Sequence, residues 1–210
     1  VLESGLIDDC DNSIMLHVAV DHDTGVFITN YGVRCAKVGS CKIVVEGRAG
    51  HSSIPHMSVN PILIAAKIVD AIADITAYEI SRQEFVVFSP TVIRGGSKDN
   101  IVPGTCEILA NARYFDDKYD EFLSRRITEI SENIARAMGG SAKVEFTPEG
   151  TPMINDKEST DRAIDIITRL WGRDKIDFTP PGLFGDDFAF IQKRFPGVVV
   201  NLGAAKDGAY

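Results

Sequence analysis

One pattern constrains this chain more than any other. Between about residues 40 and 147 the hydrophobic period switches twice from strand-like to helix-like and back. A β-branched run at about 40–48 is followed by Ile64, Ile68, Ile72 and Ile75, joined by Leu63 and Ala71, which predicts one buried helical face from Asn60 to about Ile80. Phe85 to Ile93 and Thr105 to Phe115 read as strands on either side of the turn Gly95-Gly96-Ser97-Lys98-Asp99-Asn100. Asp116 and Asp117 open a second helix, whose N-terminus favours carboxylates. Its face is Tyr119, Phe122, Leu123, Ile127, Ile130 and Ile134, and Gly139 terminates it. A strand from Ala142 to Thr147 closes the unit. The order β-α-β-β-α-β predicts a split-βαβ, ferredoxin-like sandwich, α/β (α+β) in class, with both helices on one sheet face. Its free edges suit pairing, so a homodimer through 40–148 is expected.

The flanks read differently. Residues 13–20 are nearly continuous in apolar character, which predicts a strand buried on both faces, interrupted by His17. Residues 25–31 look like a second strand and 32–39 like a connector. After Pro148 come an amphipathic helix from Thr160 to Trp171, a loop from Asp177, a helix from Asp186 to Phe195 and an apolar strand from Gly197 to Leu202. The sandwich therefore reads as an insertion into a second α/β domain, dividing the chain into 1–39, 40–148 and 149–210. Val1 is not a methionine, residues 1–8 read as the tail of a helix already under way, and a core strand lies close to the end. The sequence is expected to be part of a longer protein.

Charge removes several functions. With 22 Lys plus Arg against 30 Asp plus Glu the net charge is −8, unsuited to nucleic acid or an anionic membrane surface. No run of 18 apolar residues suggests a span, and the first residues carry no secretory pattern, so a cytoplasmic location is expected. Cys10, Cys35, Cys41 and Cys106 form no C-x-x-C pair and read as free thiols, with a Cys35–Cys41 disulfide left open.

The chemistry concentrates in Gly47-Arg-Ala-Gly-His51-Ser-Ser-Ile-Pro-His56-Met-Ser-Val-Asn-Pro61, a polar loop between a strand end and a helix start. Asn60 is suited to cap that helix and Pro61 to its first position. His51 and His56 are either loop histidines or working groups. His17, on an apolar strand, is either a hydrogen-bonded core imidazole or a metal ligand, and His22 is expected at the surface. Asn100 suits a turn requiring positive φ, and Arg113 either reaches solvent or grips an anion. Gly95 and Gly96 allow close backbone approach. Asp186 and Asp187, before a helix, are explained by capping alone.

Leu16-His17-Val18, Gly47-Arg-Ala-Gly-His51-Ser-Ser-Ile-Pro-His56, Gly95-Gly96 through Asn100-Ile-Val-Pro103, Arg113-Tyr-Phe115 and Gly185-Asp-Asp-Phe188 together resemble the two-metal amidohydrolase and peptidase family. The nearest branch is that of the hippurate and auxin-conjugate hydrolases. Met15, Ala49 and Asp186 stand where that branch has Gly, Gly and Glu. The resemblance implies that 40–148 is a lid and dimerisation domain and that the flanks are parts of a catalytic domain. It implies cleavage of the amide bond of N-acyl amino acids, conjugates or small peptides by metal-activated water. His51 would stabilise the oxyanion, and Asn100 and Arg113, with Gly95 and Gly96, would hold the substrate carboxylate. His17 would be a metal ligand, with His56, Asp186 and Asp187 supporting. The full-length enzyme would carry two divalent ions (Zn, Mn or Co), which this chain by itself is not expected to hold. A rival reading of the same fold is a non-catalytic dimerisation or small-molecule-binding module.

Overall fold

The computed structural model describes residues 2–206. In chain order its elements are β1 (Ser13–Asp23), β2 (Phe27–Thr29), β3 (Gly32–Cys35), β4 (Lys37–Glu46), β5 (Gly50–His51), α1 (Pro61–Ala73), α2 (Ile75–Tyr78), β6 (Val86–Gly95), β7 (Ile101–Val102), β8 (Thr105–Tyr114), α3 (Tyr119–Ala137), β9 (Ser141–Glu149), β10 (Met153–Asn155), α4 (Lys157–Trp171), β11 (Ile176–Phe178), α5 (Phe188–Gln192) and β12 (Gly197–Ala205). They divide into two compact units, Val38–Glu149 and the segments that flank it.

The Val38–Glu149 unit is a four-stranded sheet in the order β6-β8-β4-β9. That order is what a split βαβ produces: the two strands joined through α1 are separated by a third. Alternation along β8 turns Cys106, Ile108, Ala110, Ala112 and Tyr114 inward, against α1 and α3. The opposite face carries a polar ladder, in which Glu107 takes Lys42 at 2.8 Å. The α1 stripe packs as its spacing requires through Ile64, Ala65, Ile68 and Ile72, while Leu63 faces outward. The helix expected to run to Ile80 stops at Ala73. Ala77 N–H then donates to Asp74 O at 3.1 Å, and the short α2 follows.

The flanking unit has a four-stranded sheet in the order β1-β12-β2-β11 and a two-stranded pair, β10-β3. Its buried apolar residues fall into two small clusters, one around Met153 and Phe188 and one around Ile167 and Val200. The strand expected at 13–20 is β1. Among the described residues it is parallel to β12 alone, and Ile14, Leu16, Val18 and Val20 are all more than half exposed on one of its faces. Only Met15, on the other face, packs against the cluster that includes α5. Two further differences come from short strands with too few residues to show a period. β3 lies where a connector was expected, and β11 covers the start of the expected 177 loop. The helix at 186–195 is shorter than expected, and α4 begins three residues earlier, capped by Asp156, whose carboxylate accepts from Ser159 N–H at 2.9 Å.

Among the described residues all four cysteines are free. Burial pushes the Cys35 and Cys41 thiols up to about 12. At neutral pH they are inert apolar side chains. Among the described residues no helix is long and apolar enough to cross a membrane.

Candidate functional site

The histidine loop is built on its closed base. Arg48 and Val59 exchange both backbone hydrogen bonds at 2.9 Å, and Gly47 N–H donates to Gly104 O at 2.8 Å. A Cβ on Gly47 would come within 2.2 Å of Val59 O, so only glycine permits this closure. Asn60 Oδ1 then accepts from Ile62 N–H at 3.0 Å and starts α1, with Pro61 in its first turn.

Within the loop β5 pairs antiparallel with β7, placing His51 opposite Ile101. The chain then turns tightly. Three successive amides are all used: Ser52 N–H donates to Asn100 O at 3.1 Å, Ser53 N–H to His51 Nδ1 at 3.2 Å, and Ile54 N–H to His51 O at 3.1 Å. The Ser53 hydroxyl lies 2.7 Å from the same Nδ1. The ring is exposed, and among the described residues nothing bonds its Nε2. Beside this turn is an open cavity of about 550 Å³, lined among others by Ser52, Asn60, Gly95, Gly96, Lys98 and Pro103. Gly96 has φ +81°, a conformation that favours glycine. Asn100 is exposed, and its side chain makes no hydrogen bond among the described residues.

Arg113 is elsewhere. It pairs with Val87 at the far end of β8, whereas Cys106 pairs with Gly95 at the near end. Seven residues of extended strand separate the two ends by roughly 24 Å. Within one chain Asn100, in the turn that leads into β8, and Arg113 thus lie toward opposite ends of that strand. Arg113 keeps one buried guanidinium nitrogen, Nη1, without a hydrogen-bond partner among the described residues. His56, expected in a supporting role, makes no hydrogen bond that fixes the loop among the described residues. That work falls to Ser58 Oγ–H, which donates to Pro55 O at 2.9 Å, and to Arg48 Nε–H, which donates to Met57 O at 3.0 Å.

A second cavity, of about 680 Å³, lies within the flanking unit. His17 lines it, and its Nδ1 lies 2.8 Å from Val18 O. A carbonyl only accepts, so Nδ1 carries the hydrogen, and in the neutral ring the lone pair is then on Nε2. This is the tautomer of an imidazole ligand. Asp186 also lines the cavity, and its carboxylate accepts from Phe188 N–H at 2.8 Å. Asp187 is the residue before α5 and makes no side-chain cap. His22, expected at the surface, is partly buried. Its Nδ1 bonds Asp21 at 3.0 Å, which holds that carboxyl below its usual range. Sequence reasoning passed over Arg34. Its buried guanidinium donates to Asn201 Oδ1 at 2.5 Å and Thr179 Oγ1 at 3.1 Å. The available signal was a cation set in a run of apolar neighbours.

Among the described residues no group of three His, Cys, Asp or Glu side chains could hold a metal ion. His17 offers one nitrogen, against the three or four protein ligands usual for a tightly held divalent ion. The residues of this chain do not by themselves fit a metal centre, and no step is derived through one.

A split-βαβ sandwich with a histidine turn, in one chain with a separate α/β unit, defines the class. Residues 36–138 match the peptidase dimerisation domain model. Thermostable carboxypeptidase 2 of Saccharolobus solfataricus is 30% identical over 208 residues, covering 99% of this chain and 52% of that protein. The N-acetylcysteine deacetylase of Bacillus subtilis is 27% identical over 203 residues, covering 97% and 53%. The crystal structure of a dinuclear metal-binding peptidase of the M20 family from Bacillus subtilis superposes with a TM-score of 0.80 at 22% identity, covering 100% of this chain and 53% of that one. At that identity the superposition speaks for the fold. Residues 36–138 of the chain are an M20 peptidase dimerisation domain, and the chain spans about half the length of the relatives it matches.

Proposed function

We infer that this chain is the lid and part of the catalytic domain of a hydrolase that cleaves the amide bond of N-acyl amino acids or small peptides. The observation that carries the reading is the His51 turn. It leaves one imidazole nitrogen free on an exposed ring, in a turn bonded to Asn100 and adjoining, through Ser52, a cavity whose lining includes Gly95 and Gly96. An outward N–H donor of this kind suits the negative oxygen that develops on an amide carbonyl under attack. Asn100 has an amide free to hydrogen-bond the substrate carboxylate. Arg113, some 24 Å along the strand, would serve a second substrate site or complete the first from a partner copy. The dimer expected of this domain supports that arrangement.

His17, in its ligand tautomer, would give one bond to a metal whose other ligands lie outside these 210 residues. The test is His51→Ala in the full-length protein, assayed on N-acyl amino acids. We expect kcat to fall by about 10²–10³, and an unchanged kcat would remove the assigned role. The rival reading, a dimerisation module without catalysis, is favoured by the family model itself, which covers the sandwich. A full-length protein that dimerises yet shows no amidase activity with any divalent metal would establish it.

A further inference from the structure

We propose that Ser53 is the positioning residue of His51, holding the imidazole as its Nε2–H tautomer and aiming that hydrogen out of the turn. The inference rests on the oxyanion role proposed for His51 and deepens it.

A backbone amide can only donate. Ser53 N–H points at His51 Nδ1 from 3.2 Å, so Nδ1 must hold a lone pair there. In a neutral imidazole one nitrogen donates and the other accepts, which puts the hydrogen on Nε2. The Ser53 hydroxyl, at 2.7 Å, can donate to the same lone pair. The opposite tautomer would set an N–H against an N–H and leave the amide unsatisfied. The ring is closed onto its own backbone much as an Asx side chain is in an Asx-turn. The flanking amides of Ser52 and Ile54 are bonded to Asn100 O and His51 O, so the turn cannot relax around Ser53 without losing those bonds as well. An oxyanion stabiliser needs a donor in place before the charge appears, and it need not give its proton away. Ser53 supplies that preorganisation without touching substrate.

The test needs no catalysis. Long-range ¹H–¹⁵N correlation spectra of the labelled 210-residue chain near neutral pH should show His51 Nδ1 as a pyridine-type nitrogen and Nε2 as a pyrrole-type one. Ser53→Ala, which keeps the amide but not the hydroxyl, should move the Nδ1 signal toward that of a free imidazole, and Ser53→Thr should restore it. A pyrrole-type Nδ1 in the unaltered chain would overturn the proposal without any variant having to fold. An Nδ1 signal unmoved by Ser53→Ala would overturn the part given to the hydroxyl.

In the full-length enzyme Ser53→Ala should lower kcat by roughly two- to tenfold with KM unchanged, the value of one hydrogen bond. It should add nothing on top of His51→Ala. Additive losses would overturn the coupling. If His51→Ala left kcat intact, the oxyanion reading would fall, while the spectra would still decide the tautomer.

Discussion

Two histidines in this chain face opposite ways, chemically. His17 stands on β1 with Nδ1 donating to a carbonyl, so in the neutral ring its outer nitrogen is a bare lone pair. His51 sits in a closed turn where Nδ1 accepts from an amide, so its outer nitrogen carries a hydrogen. The residue type is the same and so is the atom engaged. Only the sign of the backbone partner differs, and in the neutral ring it makes one outer nitrogen an acceptor and the other a donor. The surroundings differ too. The loop bearing His51 is backed by one continuous apolar core, while the described residues of the flanking unit form two small apolar clusters.

The largest expected effect separates the two rings by function. In the full-length enzyme His51→Ala should cost about 3–4 kcal/mol of transition-state stabilisation at unchanged metal content. His17→Ala should lower the metal content itself, measured by elemental analysis of the dialysed protein. Equal metal loss in both variants would collapse the distinction.

Next comes the frame of the turn. Gly47→Ala places a Cβ 2.2 Å from Val59 O and should destabilise the sandwich by about 1–3 kcal/mol. In urea unfolding followed by NMR, the His51 resonances should shift while those of His17 hold. Movement of both would mean that the two regions are not separate.

A smaller effect tests the flanking unit alone. Asp156 is held below the usual carboxylate range chiefly by Ser159 N–H, and its cap on α4 should be worth about 1 kcal/mol. Because its folded pKa is depressed, that stability is present above the ordinary Asp range and is lost as pH falls through the folded value. Asp156→Ala should remove this part of the acid dependence and leave the sandwich's unfolding as it was.

The smallest effect is a reactivity. Exposed Cys10 should be alkylated in the native chain, while buried Cys35, Cys41 and Cys106 should react only after unfolding.

Much of the sandwich was legible because its signals are periodic. Ile64, Ile68 and Ile72 recur at helical spacing, β8 alternates cleanly, and Asn60-Pro61 announces a helix start. The strands β3 and β11 were not legible, being only four and three residues long. The apolar run of β1 was legible as a strand; one of its faces is exposed in a chain that spans about half the length of its relatives, so its burial is not decided by these residues. At the site, the motif indicated His51 but not its tautomer, since that depends on where Ser53 N–H points. Asn100 and Arg113 were read together from their motifs. Thirteen positions apart in sequence, they are carried apart by an extended strand rather than brought together by a turn.

The paired bonds between Arg48 and Val59 have a practical consequence. Residues 49–58 form a ring whose ends are already joined, so its loop-closure entropy is met at the base rather than by the tip. The tip is tied as well to residues 100–104, through Ser52 N–H to Asn100 O and the β5–β7 pairing. Grafted onto another strand-to-helix junction, the segment would carry the imidazole in its present orientation only if that second arm travelled with it.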